Sequence, residues 1–308
     1  MKNNCNDFSV CVLLASYNGG KFIQEQIESI LNQEDVNVSI IIRDDGSKDN
    51  TKEVLDRYMS YKNIQFIQGE NVGPAKNFYE LINLAPDSDF YAFADQDDVW
   101  DSDKLKMAIK VIGMKNDVPI LYYSASRTVD INNNMIGIIG SSKPSLTYGS
   151  SLVRSNAQGA TFVFNKNLLE IAKLYYPDFK RCGILHDAWL HKVCLSVGGL
   201  VIHDPKPHMS YRIHGNNVIA KISTNKISDR INNYLKDSIK NYNSIVAKEI
   251  LTGYEYYLTK EDYKLTYDLA YYKKSMKSKI RILFSSKYKV GVFKEDLRFR
   301  IKILLNRA

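Results

Sequence analysis

The chain has few cysteines, few prolines and no long apolar run, and each shortage removes a class of protein. Its four cysteines, Cys5, Cys11, Cys182 and Cys194, form no Cys-x-x-Cys pair. A cysteine metal cluster is therefore not expected, and the thiols read as the reduced core residues of a cytoplasmic protein. Seven prolines and sixteen glycines in 308 residues exclude collagen-like and low-complexity chain. The apolar run near the start, "FSVCVLLA", is too short and too polar-flanked for a signal peptide or a membrane span. No other window reaches spanning length, which places the protein in the cytosol. No internal repeat is visible. His191, His203 and His208 lack metal-ligand spacing and read as structural residues.

What is present is enough apolar sequence for a substantial core, at 44% hydrophobic and 25% charged residues. The net charge of +8 is uneven: residues 221–308 carry 20 Lys+Arg against 9 Asp+Glu, and the first 220 carry 22 against 25. The two parts are expected to do different jobs, with residues 1–220 as one domain and 221–308 as a basic helical region.

Strand and helix patterns alternate through the first third. "FSVCVLLA" reads as a strand buried on both faces, and "KFIQEQIESILNQ" as a helix with Phe22, Ile23, Ile27, Ile30 and Leu31 at helical spacing. "VSIIIRDDGS", "NIQFIQG" and "DFYAFAD" are further strands, separated by helices that start near "DNTKEVLDRY" and "GPAKNFYELINLA". Such alternation predicts a mainly parallel α/β sheet flanked by helices, with ligands at the strands' carboxyl ends. Later, "PILYYSASRTVD", "GATFVFN", "GLVIHD" and "HMSYRIH" read as strands of a mixed extension of that sheet. "KNLLEIAKLYY" and "HDAWLHKVCLSV" read as helices.

The polar residues fall at the ends of the strands: Ser16-Tyr17-Asn18, Asp44-Asp45-Gly46-Ser47 and Asp95-Gln96-Asp97-Asp98. A tyrosine ring stacks on a base, and an aspartate accepts the imide N–H of uracil or thymine. Carboxylates two residues apart suit one hard divalent cation, which in turn binds a diphosphate. An ordinary turn cap explains Asp44-Asp45 equally well. A knot of three carboxylates behind a buried strand is harder to explain without a cation.

"VCVLLASYNGG", "IIRDDGSKDNT", "ENVGPAKNF", "FADQDDVW" and "HDAW", in this order, resemble family 2 glycosyltransferases of the GT-A fold over residues 8–220. The "DQDDVW" form resembles bacterial rhamnosyl- and hexosyltransferases that build capsule or O-antigen repeats. The resemblance implies an inverting transferase with Mn²⁺ or Mg²⁺ as cofactor and a UDP- or dTDP-sugar as donor. Its acceptor would be a glycan or lipid-linked glycan. Ala15, Tyr17, Asn18, Asp44, Asp45, Lys76, Asp95, Gln96 and Arg212 would then bind the nucleotide-sugar, and Asp97 with His214 the metal. Asp187 would be the base that deprotonates the acceptor hydroxyl; by itself it reads equally as a helix N-cap. Gly159, Ala160, Thr161, His186 and Trp189 would line the acceptor side. The family commonly has Glu before this Asp, so His186 is a departure.

In "GVFKEDLRFRIKILLNRA", Phe293, Leu297, Ile301, Leu304 and Leu305 share one helical face with cations beside it. That pattern suits a helix lying on the inner face of the plasma membrane, and equally one packed on the catalytic domain or on a second copy of the chain. Three other functions fit less well. A nucleotidyltransferase would want a Gly-rich basic phosphate loop after the first strand, which "SYNGGKF" matches poorly. A nucleic-acid module is disfavoured because the candidate site is acidic while the basic excess lies in the tail. A non-catalytic scaffold would have no need of Asp45, Asp97 and Asp187 together.

Overall fold

The computed structural model describes residues 8–113, 117–155, 157–214 and 241–308. Cys5 and the expected domain boundary at 220/221 lie outside these residues. Four strands open the chain: β1 (Ser9–Ser16), β2 (Asn37–Asp44), β3 (Ile64–Gln68) and β4 (Phe90–Asp95). They pair in parallel in the order β3-β2-β1-β4. Ala15 of β1 is in register with both Arg43 and Asp95, so the ends of β1, β2 and β4 lie level.

Parallel pairing requires crossovers, supplied by α1 (Ile23–Leu31), α2 (Thr51–Asp56) and α3 (Pro74–Leu84). Alternate residues of β1 face opposite layers. Val10, Val12 and Leu14 pack with Ile23, Ile27 and Ile30 of α1. Cys11 and Leu13 pack with Phe78, Leu81 and Ile82 of α3. Burial on both faces is why β1 is continuously apolar.

After β4 come β5 (Val99–Trp100), α4 (Lys104–Ile112), β6 (Ile120–Val129), β7 (Met135–Ile139) and α5 (Tyr148–Val153). A 3₁₀ turn (Gly159–Thr161), β8 (Val163–Asn165), α6 (Lys166–Lys173), α7 (Phe179–Cys182), α8 (His186–Ser196) and β9 (Leu200–Arg212) follow. The sheet continues β4-β8-β6-β9-β5, with β7 beside β6. It is mixed, because β8 runs antiparallel to both of its neighbours.

One sequence expectation is corrected here. "GLVIHD" and "HMSYRIH" are not two strands but one, β9, running through Pro205 and Pro207. Proline cannot donate to a ladder, and the register between β6 and β9 shifts where Ala125 meets Pro207. The irregularity absorbs the missing N–H groups.

The tail folds as α9 (Tyr242–Tyr254), α10 (Lys260–Tyr271), α11 (Met276–Phe284) and α12 (Phe293–Leu304). Its inward residues, including Val246, Ile250, Tyr254, Leu269, Phe299 and Ile303, belong to the same core as Phe78 of α3 and Leu190 of α8. The buried carboxylate of Glu249 accepts a 2.7 Å bond from the Tyr175 hydroxyl and pairs with Arg181 of α7. The stripe Phe293, Leu297, Ile301, Leu304 and Leu305 turns outward and is exposed, while Phe299 and Ile303 are the buried positions of α12. Among the described residues no helix is long and apolar enough to cross a membrane.

Candidate active site

Beyond β1 the chain turns at Asn18, whose φ of 51° lies in the left-handed region that asparagine tolerates better than most residues. The Asn18 side chain accepts from Lys48 N, and its own N–H donates to Ser47 Oγ at 2.7 Å. Gln96 clamps this turn from β4: its Oε1 accepts from Tyr17 N at 2.7 Å and its Nε2 donates to Tyr17 O at 2.9 Å. The Tyr17 ring is left 45% exposed, free to meet a flat ligand.

At the end of β2 the two aspartates divide their work. Asp44 is buried and holds the turn, accepting from Ser47 N at 2.9 Å and from the Ser47 hydroxyl. Asp45 pairs with Arg43 at 2.9 Å and accepts from Val72 N and Gly73 N, tying β2 to the loop before α3. Gly73, at φ 86°, takes a backbone conformation that a Cβ would strain.

One cavity of about 370 Å³ collects Ala15, Tyr17, Asp45, Asp95, Gln96 and Asp97, with Phe78, Asn77 and Tyr211 among its other walls. Two carboxylates at the end of β4, Asp95 and Asp98, are strongly perturbed. Burial, then the charges of Asp97 and Asp187, pushes Asp95 up to about 7, against a smaller opposite pull from Lys104. Asp98 is raised well above the usual carboxylate range, first by burial and then by Asp97 and Asp95. Its Oδ1 accepts from Arg212 N at 3.3 Å, and its Oδ2 is buried with no hydrogen-bond partner among the described residues. The Lys104 charge offsets only part of this repulsion, and a divalent cation would offset more of it.

His214 Nε2 stands 2.7 Å from Asp97 Oδ2, so an imidazole nitrogen and a carboxylate oxygen converge at the edge of the cavity. They fit the donor set expected for Mn²⁺ or Mg²⁺. A second trio, Asp101, Asp103 and His208, also brings its ligating atoms within 4.8 Å of one another. There Arg127 already pairs with Asp101, and Asp103 and Asp204 occupy the two His208 nitrogens at 3.4 and 3.3 Å.

Asp187 sits in the first turn of α8, whose N-cap is Leu185, and its Oδ1 accepts from Ala188 N at 2.6 Å, meeting one of the free N–H groups that open the helix. Its Oδ2 accepts from Gly159 N at 3.2 Å. A Cβ on Gly159 would meet His186 Nε2 at 2.8 Å and Asp187 Cβ at 3.0 Å; the glycine lets the 3₁₀ turn approach the start of α8. Asp187 also lines a second cavity, of about 940 Å³, whose walls include Tyr123, Gln158, the loop around Ser141 and Val290–Val292. His186 stacks on Phe78 at 3.8 Å between ring centroids. Burial pulls its pKa down to about 4, and both ring nitrogens lack partners among the described residues.

Several expected residues lie elsewhere. Lys76 lines a different cavity, beside α7. The Arg212 guanidinium pairs with Glu25 at 2.6 Å and stacks on Phe22, while its backbone N–H donates to Asp98 in the knot. Trp189 is fully buried between Tyr175 and Tyr254 and lines neither cavity. Its place is in the packing of α8. Ala160 and Thr161 are buried, with the Thr161 hydroxyl donating to Gln158 O at 2.7 Å.

Sequence reasoning missed Lys104. It is 1% exposed, its Nζ lies 3.2 Å from the Trp100 ring centroid, and it donates to Ala160 O at 2.9 Å. Burial holds its pKa well below the ordinary value, opposed by the charges of Asp98, Asp95 and Asp101. Lys104 therefore joins the carboxylate knot to the 3₁₀ turn. The signal was present in "DDVWDSDKL", where a lysine follows the acidic run within one turn of a helix start.

The arrangement is a mixed α/β sheet with a carboxylate-lined cavity at the ends of β1, β2 and β4, and a further carboxylate at the start of a helix. Comparison with known proteins agrees with it. A family model described as glycosyl transferase family 2 matches residues 11–153. A dTDP-rhamnosyl transferase, RfbG of Shigella flexneri, is 33% identical over 221 residues, 67% of this chain and 73% of that one. A UDP-Glc:α-D-GlcNAc-diphosphoundecaprenol β-1,3-glucosyltransferase, WfgD of Escherichia coli, is 28% identical over 53% of this chain and 63% of its own length. In solved structures the fold is similar to S. aureus TarS in complex with UDP-GlcNAc, with a TM-score of 0.57 at 17% identity, covering 96% of this chain and 81% of that one. The chain belongs to glycosyl transferase family 2.

Proposed function

We propose that the protein is a metal-dependent, inverting glycosyltransferase that moves a hexose or deoxyhexose from a UDP- or dTDP-sugar to a surface glycan carried on a lipid. The observation that carries this reading is the cavity shared by Asp95 and Asp97, with His214 bonded to Asp97 and Asp187 near enough for its charge to raise Asp95. Tyr17 and Asp45 would hold the base. Asp97 and His214 would hold Mn²⁺ or Mg²⁺, which when bound stabilises negative charge on the departing diphosphate. Asp187 would take the proton of the acceptor hydroxyl, and a single displacement with one base inverts the anomeric carbon. His186, held neutral by burial, is a poor candidate for that proton at pH 7. The deoxyhexose and the lipid carrier are supported by the two relatives, a dTDP-rhamnosyl transferase and a UDP-Glc:α-D-GlcNAc-diphosphoundecaprenol glucosyltransferase.

Calorimetric titration with UDP and dTDP, each with and without Mn²⁺, tests the site. One nucleotide should bind tightly only with the metal, and Asp97→Asn should lose that binding along with transfer. Asp187→Asn should keep binding within about twofold and lose transfer by at least about 100-fold. Equal loss of nucleotide binding in both variants would overturn this division of labour.

A further inference from the structure

The net positive charge of this protein is concentrated in residues 276–308 of the chain. Residues 276–308 carry 10 Lys+Arg against 2 Asp+Glu, a net +8, and the preceding 275 residues carry 32 of each sign. The whole excess of the chain thus resides in α11, α12 and the segments around them. These are also the helices with the most exposed apolar side chains. On α11, Met276, Ile280 and Phe284 are 71, 50 and 84% exposed. On α12, Phe293 is 79% exposed, and Leu297, Ile301, Leu304 and Leu305 are exposed with it.

Both stripes face away from the buried side of their helices. At 100° per residue, Ile280 lies opposite the buried pair Ser278 and Ile282, and Leu297 and Ile301 lie opposite the buried pair Phe299 and Ile303. The two helices are antiparallel: Lys279 Nζ donates to Leu304 O, and Arg300 reaches Ser285 O. Two adjacent helices with their inner sides in one core therefore offer a common outer face. It is apolar along the helices, with exposed Lys277, Lys289, Lys294 and Arg307 around it. The linker between them, Val290–Val292, forms part of the wall of the cavity that holds Asp187.

We infer that this face seats on an anionic lipid bilayer, with the Asp187 cavity opening at the bilayer surface. Charge decides the occupant. Two copies meeting through this face would bring two +8 segments together, whereas anionic headgroups neutralise them and the acyl boundary accepts Phe284 and Phe293. An exposed apolar area of this kind on a soluble surface otherwise invites association. The inference rests on the transferase reading only for what it says of the acceptor: a lipid-carried glycan would reach Asp187 from the membrane side.

The test is co-sedimentation of the full chain with phosphatidylcholine vesicles, with and without phosphatidylglycerol. Binding should require the anionic lipid and weaken as salt rises. Phe284→Ser with Phe293→Ser should lower partitioning at least tenfold, and Lys277→Gln or Lys289→Gln roughly fivefold each. All variants should keep the wild-type melting temperature and nucleotide binding. Equal binding to neutral vesicles, no binding, or a dimer dissolved by the same substitutions would overturn the inference. A fall in melting temperature would do so as well, because the face would then be packed against the protein itself. Loss of metal-dependent nucleotide binding with vesicle binding intact would sink the transferase reading and leave this one standing.

Discussion

At the scale of the residue, the carboxylates after β4 are the decisive feature, and Lys104 is what lets them coexist in the folded chain. Asp98 is buried with one oxygen unpartnered among the described residues, and neighbouring buried like charges cannot all ionise without compensation. Lys104→Met keeps the length of the side chain and removes its charge, its bond to Ala160 O and its contact with Trp100. The expected cost is about 3 kcal/mol in urea unfolding, because removing one partner leaves the other buried charges uncompensated. A variant as stable as the wild type would mean that the carboxylates are neutral by themselves. Side-chain roles were only partly legible from the sequence at this scale. The identities of Tyr17, Asp45, Asp95 and Asp97 could be picked out because they follow apolar strands. That Gln96 is a clamp on Tyr17, or that the Arg212 guanidinium turns to Glu25, depends on neighbours 79 and 187 residues away.

At the scale of the element, α8 shows what a pattern hides. It carries Asp187 at its start, yet it is buried nearly all round, with His186, His191 and Lys192 inside. The amphipathic signal that marks a surface helix is therefore weak there. Burial holds His191 down to about 3, with a smaller lowering from Lys192, and His186 at about 4. Below pH 6.5 the unfolded chain binds protons that the native chain refuses, so this stability is whole above pH 6.5 and is lost as the pH falls toward those values. At pH 5 the loss is about 2 kcal/mol for each histidine. In His191→Gln the difference in unfolding free energy between pH 7.5 and pH 5 should narrow by about 2 kcal/mol. An unchanged difference would mean that His191 takes a proton freely in the native state. β9 offers the opposite lesson: its prolines argue for two strands, and only the shifted register against β6 shows how one strand accommodates them.

At the scale of the whole molecule, the parallel sheet and the level of its acidic ends follow from period and order along the sequence, because β1, the second half of β2, and β4 bury both faces and each crossover is short. How the C-terminal helices attach does not follow, since any surface helix has an apolar stripe and nothing local says which stripe is covered. In α12 the more conspicuous stripe is exposed and the two-residue one is buried. Val246, Ile250, Tyr254, Leu269, Phe299 and Ile303 reach into the core that α3 and α8 share. Burial of six such side chains is worth roughly 9–18 kcal/mol as an upper estimate, comparable to the 5–15 kcal/mol that holds a typical domain together. A chain ended at residue 220 should therefore fail to fold, even though it keeps every residue assigned here to the donor and the metal. Gel filtration and circular dichroism of the shortened chain, followed by nucleotide titration with Mn²⁺, decide the matter. An aggregated or unfolded product means that the helices complete the catalytic core. A soluble, nucleotide-binding product means that residues 1–220 are a domain in their own right, and that α9–α12 lie on it as a separable membrane-facing unit.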